Sequence, residues 1–393
     1  MSGLQVARFA GILFLLFAYT LYKAGQLWPT RRSRAHWVAT LVFILMVGWQ
    51  ILYRSKPGVF STLGFQSLAW VGSITLGLWA VFVILSLPFD IVSGVLFLGR
   101  LFFSPSSDKN AAQAERRQFV TRSLQLGILG VSSGTGTLGL VEVLVGPRVK
   151  KVSIPISNLP SELQGFKIAQ ISDLHAGATI RESYVQDIVA KIAALSPDLI
   201  VVTGDIADGV PEVMGHLLTP LESLTAKYGK FYITGNHEYY WDADGWIRKM
   251  QGLGFRPLLN ENQMIRVTQS AQILLAGVTD PAGEQLGLAH AADLKKAAES
   301  HEPTHVKVLL AHRPEAYLEA EKVGFDLQLS GHTHAGQFFP FNIFMPLAHK
   351  YYRGLNRHGR MWLYVNPGTG YWGPPNRFSV PAEITLLTLM RLA

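Results

Sequence analysis

Four long apolar runs occupy the first 150 residues, and they limit what this chain can fold into more than any other feature. Val6 to Leu27 is almost wholly apolar around Lys23, and Trp37 to Tyr53 is a second run with aromatic residues at both ends. Phe65 to Phe103 is a third, interrupted by Pro88 and Asp90, and Leu124 to Val145 is a fourth, rich in Gly, Ser and Thr. A run of about 20 apolar residues crosses a bilayer as a helix. Aromatic ends suit the interfaces and small residues suit close helix packing. A soluble core helix can carry one such run, but four in succession point to membrane spans.

Charge sets the orientation. Residues 1–150 hold fourteen Lys and Arg against four Asp and Glu, a net of +10, while residues 151–393 hold twenty-one against twenty-three, a net of −2. The basic residues flank hydrophobic segments, so no nucleic-acid partner is expected. Residues 23–36 carry Lys23, Arg31, Arg32 and Arg34, residues 99–122 carry Arg100, Lys109, Arg116, Arg117 and Arg122, and the intervening loop has only Arg54 and Lys56. If 65–103 crosses once, both strongly basic loops share one side. The positive-inside rule then places them in the cytoplasm and the C-terminal part outside it. If 65–103 crosses twice, that assignment fails. Glu115-Arg116-Arg117-Gln118-Phe119-Val120 resembles a twin-arginine export signal, with ordinary flanking charge as the plainer reading. The chain has no cysteine, so thiolate ligands, thiol nucleophiles and disulfides are excluded.

The second part alternates strand, polar loop and helix. Lys151–Ile156 and Phe166–Ile171 read as strands, the latter ending in Ser172-Asp173-Leu174-His175. A helix from Tyr184 to Leu195 is stopped by Pro197. The β-branched strand Asp198–Thr203 ends in Gly204-Asp205-Ile206-Ala207-Asp208. A second helix is expected over about Glu212–Tyr228, and the strand Lys230–Thr234 then ends in Gly235-Asn236-His237-Glu238. Shorter strands are expected at 255–259, 263–268 and 272–278. Val306–Ala311 leads to His312-Arg313, and Phe325–Leu329 leads to Ser330-Gly331-His332-Thr333-His334. Trp362–Val365 and Glu383–Leu389 close the pattern. Such alternation predicts an α/β domain whose polar clusters gather at the C-terminal ends of strands.

Taken together, Asp173-x-His175, Gly204-Asp205-x-x-Asp208, Gly235-Asn236-His237-Glu238, His312 and Gly331-His332-x-His334 resemble the calcineurin-like metallophosphoesterases, with all five motif blocks in the family's order. The resemblance covers roughly residues 150–393. The tail Tyr364-Val365-Asn366-Pro367-Gly368, with Gly373-Pro374-Pro375-Asn376-Arg377 and Glu383–Leu387, resembles the bacterial membrane-associated branch, whose members act on phosphodiesters. The resemblance implies a four-layer α-β-β-α sandwich over 149–393, preceded over 1–148 by an all-α transmembrane region of about four spans (6–27, 37–53, 65–103, 124–145). It also implies two divalent metal ions, one held by Asp173, His175, Asp205 and His334 and the other by Asp205, Asn236, His312 and His332, with Asp205 bridging. Metal-bound hydroxide would attack phosphorus. His237 would stand beside the metals as the catalytic acid or transition-state stabiliser. O/N ligation fits manganese, iron, zinc or magnesium.

Other roles stay open at this level. Asp208 either caps a helix or orients a ligand, and Glu238 is similarly ambiguous. Arg313 and Arg377 either clamp a substrate phosphate or sit in structural ion pairs. Phe338–Leu347 is either a loop packed on the core or a segment at the bilayer surface touching a lipid substrate, and Lys350, Arg353, Arg357 and Arg360 follow it as candidate contacts to anionic head groups. The expected partners are therefore the lipid bilayer, a phosphoester substrate, lipid-linked in one reading, and the twin-arginine export machinery. The expected protein is a multi-pass enzyme of the bacterial inner membrane, cleaving a phosphodiester or pyrophosphate of a lipid or envelope precursor. A phosphomonoesterase, a metal-bound scaffold and a transporter are the rivals. The last is weakened by the scarcity of charge within the spans.

Overall fold

A computed structural model describes residues 3–28, 31–55, 63–103, 111–300, 302 and 304–392. The charges read at Lys56 and Lys109 lie outside the described residues. The chain divides into two compact units, Met1–Leu138 and Gly139–Ala393.

The first unit is built from helices α1 (Gly3–Leu27), α2 (Arg32–Ser55), α3 (Leu63–Phe103) and most of α4 (Ala111–Val145). Three stretches are long and apolar enough to cross a membrane, namely Arg32–Tyr53, Gly64–Leu96 and Glu115–Val145. The first run retains a shorter apolar helix, Gly11–Leu27, among the described residues. The segment 65–103 lies within α3. It is one helix of 41 residues with Pro88 inside it, so this segment does not turn back on itself. Lys23 is buried and pairs with Asp90 at 2.7 Å, and Tyr19 donates to the same carboxylate at 2.6 Å. The two interruptions in the apolar runs thus neutralise each other, as low-dielectric burial requires.

The second unit is a pair of six-stranded mixed sheets. The first contains β1 (Arg148–Ile156), β2 (Lys167–Ile171), β3 (Leu199–Val202), β4 (Lys230–Tyr232), β5 (Arg256–Pro257) and β12 (Glu383–Arg391), in the order β1-β12-β2-β3-β4-β5. The second contains β6 (Glu261–Thr268), β7 (Ala271–Gly277), β8 (Val306–Leu310), β9 (Leu327–Ser330), β10 (Gly354–His358) and β11 (Met361–Val365), in the order β10-β11-β9-β8-β7-β6. Between or after these strands lie α5 (Glu182–Leu195), α6 (Pro211–Met214), α7 (Asn236–Trp241), α8 (Ala243–Gly252), α9 (Ala282–Gln285), α10 (Leu294–Ala298), α11 (Tyr317–Val323) and α12 (Phe341–Ala348).

The period of two along each strand decides what it packs against. On β8, Val306, Val308 and Leu310 face the inter-sheet core, where they meet Leu199, Val201, Leu327, Leu329 and Leu387. Leu309 and the following Ala311 face the other way, under Leu294 and Ala297 of α10 and Tyr317 and Ala320 of α11. On the first sheet's outer side, α5 buries Val185, Ile188 and Ile192. The result is the four-layer α-β-β-α arrangement. Leu327→Ala in the inter-sheet core is expected to cost about 2–5 kcal/mol, seen as a lowered denaturant midpoint of the folded chain.

One expected helix fails. Residues 212–228 form only the four-residue α6, then a 3-10 segment over Gly215–Ser223 with Pro220 inside it. Proline cannot donate the i→i−4 bond, and glycine at the start adds backbone freedom, so the tighter turn wins over the apolar periodicity. The strand expected at 255–259 also shrinks to a two-residue pairing with β4.

Candidate metal centre

All five polar clusters fall at the C-terminal ends of parallel strands, namely β2, β3, β4, β8 and β9. The backbone there is unusual. Asp173, His175, Asp205, His332 and His334 all have φ between 49° and 71°. Left-handed backbone disfavours side chains with a Cβ, at a cost of about 1–3 kcal/mol each. Its effect here is to turn each side chain off the strand direction and into a shared centre. Close approach of the loops is what Gly204 and Gly331 permit. A Cβ at Gly204 would stand 2.5 Å from Gly235 N and 2.9 Å from His312 Nδ1, and one at Gly331 would strike Ser172 and the Asp173 carboxylate.

Three groups of donors form among the described residues, and the third, His175, Asp208 and His237, shares His175 with the first. In the first, Asp173, His175 and His334 converge, with 3.1 Å between the two Nε2 atoms and 3.4 Å from His334 Nε2 to Asp173 Oδ1. In the second, Asp205, His312 and His332 converge, and Asn236 joins them. The same oxygen of Asp205, Oδ2, faces both groups, at 3.9 Å from His175 Nε2 and 3.2 Å from His312 Nε2. Its other oxygen accepts from the His237 backbone N–H at 2.8 Å.

This donor set fits cations. His312 Nδ1 lies 2.7 Å from the carbonyl of Thr203, so that nitrogen carries a proton and Nε2 is the atom turned into the centre. Around Nε2 stand Asp205 Oδ2 at 3.2 Å, Asn236 Oδ1 at 3.2 Å and His332 Nδ1 at 3.3 Å. A buried carboxylate among facing acceptors needs positive charge, and against the opposing effect of burial Asp205 raises the His312 imidazole well above the ordinary histidine range. Burial holds the imidazoles of His332, at about 3, and of His334 well below the ordinary histidine range, so both stay neutral. Burial pushes Asp173 up, whereas Asp205, despite its burial, is held well below the usual carboxylate range by His312 and His237.

The open alternatives for Asp208 and Glu238 are now decided by geometry. Asp208 is not a helix cap; its Oδ1 meets Nδ1 of His175 at 3.3 Å and Nδ1 of His237 at 2.5 Å, so one carboxylate stands behind both imidazoles. Against the opposing effect of burial, Asp205 and Asp208 raise the His237 imidazole to about 9, which keeps it protonated at neutral pH. Glu238 is wholly buried and accepts backbone N–H groups from Asp205 at 3.0 Å, Ile206 at 2.8 Å and Gly235 at 2.6 Å. It caps α7 through the N–H of Gly235 and ties the Gly-Asp loop to the Gly-Asn-His loop.

Both arginines have partners within the protein. Arg313 forms the ion pair foreseen as its alternative, with Nε 3.0 Å from Asp280. Arg377 departs from both readings. It is fully buried and bonds backbone carbonyls rather than a carboxylate, donating to Pro367 at 2.8 Å and Gly370 at 3.0 Å, with Nη2 3.3 Å from His334 Nδ1. The reason is local: the 366–370 turn leaves carbonyls pointing inward, and a guanidinium has enough donors to satisfy several at once. The turn is itself bonded to the Asp173 loop, through Thr369 N to Ser172 O at 2.7 Å and Gly370 N to Asp173 O at 3.0 Å. Arg377→Lys is therefore expected to weaken metal binding by about 10–100-fold, as loss of ligand-orienting contacts typically does, measured by metal titration of the purified chain.

Residues not foreseen complete the mouth of the site. Tyr240 and Trp372 are exposed, and their rings lie 5.2 Å and 5.7 Å from the His237 ring. Trp372 is held by Gln337, which accepts from its N–H at 2.7 Å and donates to its carbonyl at 2.9 Å. Only the place of Tyr240, three residues after His237, hinted at this.

Stacked mixed sheets here gather carboxylates, imidazoles and an amide at strand ends, a donor set suited to divalent metal ions. The chain belongs to the calcineurin-like metallophosphoesterases: the family model for calcineurin-like phosphoesterase matches residues 166–336. It is 34% identical to a Danio rerio transmembrane protein with metallophosphoesterase domain, over 96% of this chain and 89% of that protein. A Bos taurus protein of the same description is 37% identical over 66% of this chain, which spans 61% of that protein's length. An uncharacterized metallophosphoesterase of Helicobacter pylori is 34% identical, over 73% of this chain and 76% of that protein.

Proposed function

We propose that the protein is a membrane-anchored, dinuclear phosphoesterase that cleaves phosphodiester or pyrophosphate bonds, with a lipid or envelope precursor as its natural substrate. The observation that carries the reading is the shared Asp205 oxygen between two groups of donors, with protonated His237 alongside. Asp173, His175, Asp205 and His334 would hold one divalent ion, and Asp205, Asn236, His312 and His332 the other. Bound there, two such ions neutralise phosphoryl oxygens and acidify water. The chain's own residues do the rest. Asp208 fixes the His237 ring through Nδ1, so Nε2 is free to give its proton to the leaving oxygen. Glu238 holds the two loops that carry Asp205 and Asn236 in register. Departure of the leaving oxygen is the step this acid serves, and the diester preference itself is left to the assay below.

Purified full-length protein with added manganese is expected to turn over bis-(p-nitrophenyl) phosphate at least about tenfold faster than the monoester, a barrier difference near 1.4 kcal/mol. The opposite preference would make it a phosphomonoesterase, and bound metal without turnover would make it a scaffold.

The reading includes a place in the bacterial cytoplasmic membrane with the catalytic unit outside the cytoplasm, supported by the basic loops and the uninterrupted α3. The twin-arginine stretch, within α4, is part of the same proposal. A reporter fused after Ala393 is expected to be active only outside the cytoplasm; activity confined to the cytoplasm would refute this topology.

A further inference from the structure

The helix α12 presents an apolar surface to solvent. None of its residues is buried, and Phe341, Ile343, Phe344 and Leu347 are all exposed, Leu347 at 86%. It follows the ligand loop directly: a Cβ at Gly336 would strike Asn342 and Met345 of α12. No acidic residue occurs between Gly331 and Ala382.

Strand directions say what this face meets. Within the second unit, β12 runs antiparallel to β2, so Glu383 and Thr385 lie at the ligand end of the sheet. Parallel pairing of β1 with β12 then puts Arg148 at that same end. Arg148 begins β1 only three residues after α4 ends at Val145. The chain therefore enters the sandwich from α4 at the end that carries the metal ligands. A loop bridges the two features. Arg377 N donates to Gly139 O of α4 at 3.1 Å, Phe339 N donates to Phe378 O at 3.2 Å, and Asn342 of α12 donates to Ser379 at 3.0 Å. Gly139 lies six residues before the end of α4, about 9 Å down that helix. Val141, Leu144 and Val145 beyond it are exposed and apolar.

We propose that α12, the 372–379 loop and the last turns of α4 form one membrane-seated face, whose partner is the lipid surface, and that the metal centre opens at that surface. Exposed Trp372 supplies an interfacial aromatic beside His237. The exposed cations divide. Lys350 and Arg353 precede β10 at the ligand end and face anionic head groups, whereas Arg357 and Arg360 lie toward the far end of the β10–β11 hairpin and take no part. That substrates are met at the bilayer rests on the phosphoesterase reading; the seating does not.

Because the chain has no cysteine, single labels can be placed without background. Phe344→Cys, Leu347→Cys and, as control, Gln269→Cys carry a nitroxide in the full-length protein in nanodiscs of phosphatidylethanolamine and phosphatidylglycerol. Gln269 sits in the β6–β7 turn, at the opposite end of β7 from the ligands. Oxygen accessibility is expected to exceed that of a water-soluble nickel chelate at 344 and 347, with the order reversed at 269. Labels at 344 and 347 as aqueous as the one at 269 would overturn the seating. Turnover of bis-(p-nitrophenyl) phosphate is read on the same samples and is expected to stay within about twofold of the unlabelled chain, as surface changes allow. Absence of turnover even in the unlabelled chain would sink the hydrolase reading, leaving the seating decided by the labels.

Discussion

Replacing His237 with alanine is expected to lower turnover of bis-(p-nitrophenyl) phosphate by about 100- to 10,000-fold, the usual contribution of a positioned proton donor. Metal content should be unchanged. The two parts follow from different contacts. The imidazole touches Asp208, lies 4.0 Å from Asp205 Oδ2 and groups with His175 and Asp208, outside the Asp173–His175–His334 and Asp205–His312–His332 groups. Its backbone N–H, which does support Asp205, survives the substitution. A His237→Ala chain that lost its metal along with its activity would show the ring to be a ligand. One that kept full activity would remove it from the chemistry.

A larger loss is expected from Asp205→Asn. This substitution keeps shape and removes the one negative oxygen that both donor groups share. The imidazoles of His312, His237 and His175 all face that charge. Without it, turnover should fall by at least about 1,000-fold, the scale on which one electrostatic stabiliser matters in a closed site. Both metal positions should weaken together, seen as reduced metal content after dialysis. A variant that lost one equivalent and held the other tightly would show that Asp205 does not bridge.

The clustered candidate ligands were legible in the sequence because each cluster is short and follows a strand whose apolar run is unmistakable. Asp173 and His175, or His332 and His334, need only local spacing to be noticed. Their left-handed backbone could not be read, since nothing in Asp-Leu-His distinguishes it from ordinary loop. Glu238 and Asp208 were seen but not assigned, because their partners lie about thirty residues away and depend on how the loops meet. Arg377 was misjudged for a related reason. A buried guanidinium that serves backbone carbonyls looks, in sequence, the same as one that serves a phosphate. The expected helix at 212–228 had the right periodicity but contained Pro220, which local sterics did not forgive. The character of α12 was half visible. Its composition allowed both core and membrane, and only the directions of β12 and β1 relate it to α4.

The most direct test of a shared two-metal centre is metal analysis of the purified full-length chain alongside its His332→Ala and His334→Ala variants, each assayed on the diester. Two equivalents of divalent metal are predicted for the unaltered chain, about one firmly held equivalent for each variant, and severe loss of turnover in both. A single equivalent in the unaltered active enzyme, removed by either substitution, would contradict a dinuclear mechanism.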